Sequence, residues 1–179
     1  MQDFVKWSND TIVKEGMSTF MQNFRIEWIA LLGSRLKYLL EGRVFIVITD
    51  DERTWFEGYL LKKINRSGAR PLLPFVSLKA LYPSLDEINS SEQISLLEDM
   101  LSLAFPNGYV YFYIGKNIDK RANIAKNSED SYMWLFDEQT HNSICLNSND
   151  ENLDIKLMQL LKLFDKSIDA VLLNQASLV

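Results

Sequence analysis

Apolar positions along the chain follow two periods, and the switches between them mark the elements. Residues 3–15 carry Phe4 and Trp7 one turn apart and read as a helix that Gly16 interrupts. Met17, Phe20, Met21 and Phe24 then recur at helical spacing. A clearer helix follows: Ile29, Leu32, Leu36, Leu39 and Leu40 make one apolar face, and Gly42 is its stop. Residues 43–49 are an almost unbroken apolar run and read as a buried strand. Helical spacing returns over 52–64 with Trp55, Phe56, Tyr59 and Leu60, until Ser67 and Gly68 break it. Residues 71–78 read as a short strand, which Pro74 assigns to a sheet edge or a strand start. After a turn at 81–84, Ser90 with Glu92 or Gln93 forms an N-cap signature for a helix striped by Ile94, Leu97, Leu101 and Ala104. Pro106, Asn107 and Gly108 end it. Residues 109–115, rich in aromatic and branched side chains, are the clearest strand. The polar stretch 116–130 holds at most a short helix. Strands are expected at 132–136 and 143–146. A final helix over 152–174 is lined by Leu153, Leu157, Leu160, Leu161, Phe164, Ile168, Val171 and Leu172.

Strands thus alternate with helices, and no tight hairpin signal joins two of them. The pattern predicts a doubly wound, Rossmann-like α/β fold: a mainly parallel five-stranded sheet with helices on both faces. No repeat, low-complexity segment or long linker is present, so the 179 residues read as one domain.

In such folds the first strand usually runs into a glycine-rich phosphate loop. Here the turn is Thr49, Asp50, Asp51, Glu52, Arg53 and Thr54. It has no glycine and three successive acids, whereas a phosphate needs close backbone N–H groups and a positive field. The acids have two readings: they hold Mg²⁺ at a strand's carboxyl end, or Asp50 or Asp51 caps the next helix while Glu52 complements its dipole. Capping is the simpler. At the second strand end, Gly115 reads as serving a turn. His141, the single histidine, lies in a polar turn without a second histidine or a cysteine beside it, which fits a solvated loop position better than a metal ligand or a base. Cys145 is alone, which excludes an internal disulfide. No metal or cofactor is expected.

Net charge is −5, with 47% apolar and 24% charged residues, ordinary values for a globular protein. Acidity argues against direct nucleic-acid binding. The densest cationic stretch, Lys62, Lys63, Arg66 and Arg70, reads as a solvated helix end. No secretory signal and no apolar run of roughly 18 residues is visible, so a cytoplasmic protein without membrane contact is expected. Met1, Phe4, Trp7, Met17, Phe20, Met21, Phe24 and Trp28 load the first quarter with aromatics and methionine. They read either as core or as a subunit interface, where such residues concentrate. Leu172 and Leu173 are adjacent on one helix and point about 100° apart, so Leu173 is expected at the surface.

Several runs resemble the HobA family of bacterial regulators of chromosome-replication initiation. They are Thr54, Trp55 and Phe56 with Tyr59, Leu60 and Leu61; Arg70, Pro71, Leu72 and Leu73; residues 134–138; and residues 157–164, where leucines alternate with Gln159 and Lys162 before Phe164. The resemblance implies a sugar-isomerase-like (SIS) fold and a homotetramer that binds the N-terminal domain of the initiator DnaA and arranges its copies at the origin. It implies no enzymatic activity and no cofactor. Related initiator-binding proteins contact DnaA through a hydrophobic pair near the end of the last helix, which corresponds here to Leu172 and Leu173. Trp55, Phe56 and Tyr59 are further partner-binding candidates. Phe4, Trp7, Phe20, Phe24 and Trp28 are candidates for the oligomer interface, and residues 1–41 for oligomerisation as a whole. A sugar-phosphate-binding isomerase or sensor of the SIS type is the alternative.

Overall fold

A computed structural model describes residues 2–66, 68 and 70–178; Met1 and Ser67, counted above among the apolar N-terminal residues and the helix breakers, lie outside them. In chain order the elements are β1 (Gln2–Asp3), α1 (Phe4–Lys14), α2 (Thr19–Leu40), β2 (Val44–Thr49), α3 (Thr54–Ile64), β3 (Phe75–Ser77), α4 (Leu78–Leu81), α5 (Ser91–Ala104), β4 (Tyr109–Lys116), α6 (Ala122–Lys126), β5 (Tyr132–Phe136), β6 (Ser143–Leu146), α7 (Leu153–Leu172) and β7 (Ala176–Ser177). Single 3₁₀ turns occupy Asp51–Arg53 and Pro83–Glu87. These elements divide between two compact units, residues 41–146 and residues 2–40 with 147–178.

The larger unit holds a five-stranded, wholly parallel sheet in the order β3-β2-β4-β5-β6. Its strands are buried on both faces, which is why they read as unbroken apolar runs. Successive residues point to opposite sides. Ile46, Ile48, Tyr111, Tyr113, Met133 and Leu135 pack with Leu78, Leu97, Leu101, Ala122 and Ala125 of the helices on one face. On the other, Phe56 of α3 meets Trp134 at 6.1 Å between ring centroids, and Phe112 meets Trp134 at 5.1 Å. Truncating such a ring to alanine costs about 3–5 kcal/mol.

Local chemistry explains the boundaries. Ser90 and Gln93 form a reciprocal capping box on α5. The expected strand at 71–78 shrinks to Phe75–Ser77 at the sheet edge, because Pro71 and Pro74 have no N–H for a ladder. Leu78 already belongs to α4, which Ser77 caps by accepting from the Ala80 N–H.

In the smaller unit α1, α2 and α7 pack against one another, and β1 pairs in parallel with β7. The two N-terminal apolar stretches expected beyond Gly16 are one 22-residue helix, α2. Leu40, assigned to its apolar face, is exposed. Gly42 has φ +81°, the left-handed conformation that ends the helix as expected.

Candidate functional site

Open α/β sheets bind ligands where the strand order reverses, outside the carboxyl ends of the strands. That point lies between β2 and β4, where Thr49 is in register with Ile114. It is occupied by the side chain of Asp50, which is 3% exposed. Its carboxylate accepts the Lys116 N–H at 2.7 Å, the Arg53 N–H at 3.1 Å and the Arg53 guanidinium at 3.3 Å. Capping is therefore the reading that holds, with one refinement: Asp50 caps the 3₁₀ turn, and α3 itself starts without a side-chain cap. Glu52 does not serve the dipole alone. It pairs with Arg53 and, at 2.6 Å, with the Lys116 ammonium. Burial pushes the Asp50 carboxyl above its ordinary range, against the pull of Lys116 N–H and Arg53.

Gly115 does not serve a turn: it lies within β4, paired with Leu135 of β5. A Cβ there would stand 2.7 Å from Asp50 Oδ2 and 2.8 Å from the Tyr113 hydroxyl oxygen. The missing side chain is what lets the carboxylate reach the Lys116 N–H. Arg121 was not singled out in the sequence, yet it ties this edge together. Its guanidinium donates to the Thr49 carbonyl at 2.9 Å, to Asp51 at 2.6 Å and to Asp86 at 2.7 Å. Nothing in the local sequence marks it, since its partners lie 35 to 72 residues away. Beside Asp50 a cleft of about 400 Å³ is lined by Asp51, Glu52, Lys116, Asp119 and Lys120. Among the described residues no group of three or more His, Cys, Asp or Glu side chains is placed to hold a metal ion.

The remaining candidates are surface features. Trp55 and Tyr59 are 47% and 41% exposed, one turn apart on α3, and exposed Lys62 continues that face at helical spacing. Phe56 is fully buried against Trp134, which corrects its candidacy for partner contact: the apolar side of α3 claims it. Arg70 also departs from a solvated end, being buried with its guanidinium donating to the Ile64 carbonyl at the end of α3. At the end of α7, Leu173 is exposed and Leu172 half-buried. His141 is exposed in its loop.

Within the helical unit Trp28 is a core residue, which removes it as an interface side chain, whereas Phe4, though buried, borders a cleft. Trp7, Phe20 and Phe24 are half-buried, and Phe20 stacks on Phe24 at 5.1 Å. Sequence reasoning missed Val5 and Ile26, exposed by 51% and 75%. The signal was present for Ile26, an isoleucine between Arg25 and Glu27 on the polar side of α2. Both line a cleft of about 660 Å³ with Phe4, Ile29, Ala30 and Leu178. At the seam of α1 and α7, Glu15 pairs with Lys162 at 2.7 Å and Lys166 at 2.8 Å, and these ammonium groups pull its pKa down to about 2. Among the described residues no helix is long and apolar enough to cross a membrane.

A family model described as "HobA: DNA replication regulator" matches residues 1–178. The DNA replication regulator protein HobA of Helicobacter pylori is 27% identical over 188 aligned positions, covering 99% of this chain and all of that protein. A crystal structure of a HobA–DnaA (domain I-II) complex from Helicobacter pylori superposes with a TM-score of 0.78 at 25% identity, over 99% of each chain. A crystal structure of HobA from the same organism gives 0.75 at 25% identity, over 97% of this chain and 94% of that one. Phosphoheptose isomerase GmhA from Neisseria gonorrhoeae shares the fold, with a TM-score of 0.54 at 12% identity over 84% of this chain and 89% of that one.

Proposed function

Because the chain belongs to the HobA family of DNA replication regulators, we propose that it is a non-enzymatic cytoplasmic scaffold that binds the N-terminal domain of DnaA and promotes its assembly at the origin. The observation that carries this reading is the end-to-end likeness to a HobA protein crystallised with DnaA domains I-II. The mechanism is multivalency. A homotetramer presents one initiator site per subunit, so DnaA copies are held at high effective concentration without the scaffold touching DNA.

Each unit offers its own candidate partner side chains: Trp55 and Tyr59 on α3 in the larger unit, and Leu173 with the edge of Leu172 on α7 in the smaller one. Trp and Tyr are strong anchors because a rigid ring buries much area at little entropic cost. Lys62 on the same face of α3 as Trp55 and Tyr59 favours an apolar anchor flanked by acids on the initiator. The tetramer uses the N-terminal helices, where Trp7, Phe20 and Phe24 are half-covered and the cleft at Val5 and Ile26 accepts a second copy. A sugar-phosphate isomerase or sensor is not favoured, since Asp50 fills the place a phosphate would take.

Light scattering after size exclusion, alone and with the DnaA N-terminal domain, tests the reading. A tetramer that gains the mass of several partner domains is expected. A particle that gains none at concentrations well above micromolar overturns it.

A further inference from the structure

The geometry between β2 and β4 points to an inference independent of the partner surface. We propose that this crevice is an oxyanion site that the chain fills with its own Asp50 carboxylate, and that it takes up a free phosphate or carboxylate once that side chain is removed.

Three observations converge. Two backbone N–H groups, of Lys116 and Arg53, and the Arg53 guanidinium all aim at one carboxylate, the donor set that oxyanion sites use. The site is built for close approach, because any Cβ at Gly115 would meet Asp50 at 2.7 Å. The cleft of about 400 Å³ beside Asp50 offers an approach for a small anion. In the intact chain the tethered carboxylate outcompetes free anions through its effective concentration. The pocket is thus closed from within, in a way that the acidic turn alone did not disclose.

Thermal melts of the full chain, with inorganic phosphate or acetate against chloride at matched ionic strength, test this. Asp50→Ala is expected to melt below the wild type in chloride and to regain melting temperature with phosphate or acetate in a saturable way. The wild type is expected not to respond. Part of the cost of Gly115→Ala should vanish in the Asp50→Ala background, because the contact with Asp50 goes while that with the Tyr113 hydroxyl stays. Should Asp50→Ala not fold in chloride, the smaller hydroxylated Asp50→Ser carries the same requirements. A folded variant indifferent to both anions, a wild type that responds as strongly, or strict additivity with Gly115→Ala each overturns the proposal.

Discussion

Trp55→Ala is the sharpest test of the partner surface, because its effect can be worked from exposure. The indole is 47% exposed, and its buried half packs edge-on against Phe56 at 5.5 Å between centroids. A Trp side chain carries roughly 200 Å² of contact area, so about 100 Å² remains for a partner to cover. At about 25 cal/mol per Å² that area is worth at most ~2.5 kcal/mol, or about 60-fold in affinity. The entropic cost of association, which spoils absolute conversions of area, is shared by wild type and variant and drops out of the difference. Folding should lose only ~1–2 kcal/mol, because the fully buried Phe56 and Trp134 are untouched. Calorimetric titration with the DnaA N-terminal domain reads the affinity, and circular dichroism and light scattering verify fold and mass. A correctly folded and assembled Trp55→Ala protein that binds within about twofold of the wild type would refute the assignment of this helix face.

Other outcomes follow from the same geometry. Leu173→Ala should weaken the initiator domain in calorimetry while light scattering shows an unchanged tetramer; unaltered affinity would remove Leu173 from the surface. Ile26→Asp places a charge where the 75% exposed isoleucine stands and should lower the scattering mass, whereas an intact tetramer would take the α2 cleft out of the interface. Arg121→Met should cost about 2–3 kcal/mol, most of it the charge-assisted bond to the buried Thr49 carbonyl, since Asp51 and Asp86 are 86% and 45% exposed and can rehydrate. A urea midpoint unchanged from wild type would contradict that. Glu15, held near 2 against an ordinary 4.5 by Lys162 and Lys166, contributes stability that is full above the ordinary value and lost as pH falls toward 2. Glu15→Gln should therefore flatten the acid limb of the stability curve over that window, and an identical limb would show that the pair contributes nothing.

Much of the fold was legible because its signals are local or periodic. The unbroken apolar runs at β2, β4 and β5 require a sheet covered on both sides, and that requirement alone selects parallel strands with flanking helices. Ser90 and Gln93 announced the start of α5, and Pro74 announced an edge. The errors arose where covering decides the outcome. Phe56 and Trp55 are neighbours in sequence with equal claim as anchors, yet a helix turns 100° per residue, so one meets Trp134 and the other meets solvent. Trp28 went into the core by the same logic, while Ile26 was overlooked on the polar side of α2.

The strand-end site divides the same way. The chain's one-dimensional pattern established that the turn after β2 lacks glycine and carries acids, which was enough to argue against a phosphate loop. It could not reveal that Asp50 turns inward to the Lys116 N–H, that Gly115 is bare for that purpose, or that Arg121 closes the edge from across the unit. Those facts join residues 35 to 72 positions apart. Hydrophobic periodicity records which face of an element is buried. Which polar groups meet at the end of a sheet depends on strand order, and strand order exists only once the chain has folded.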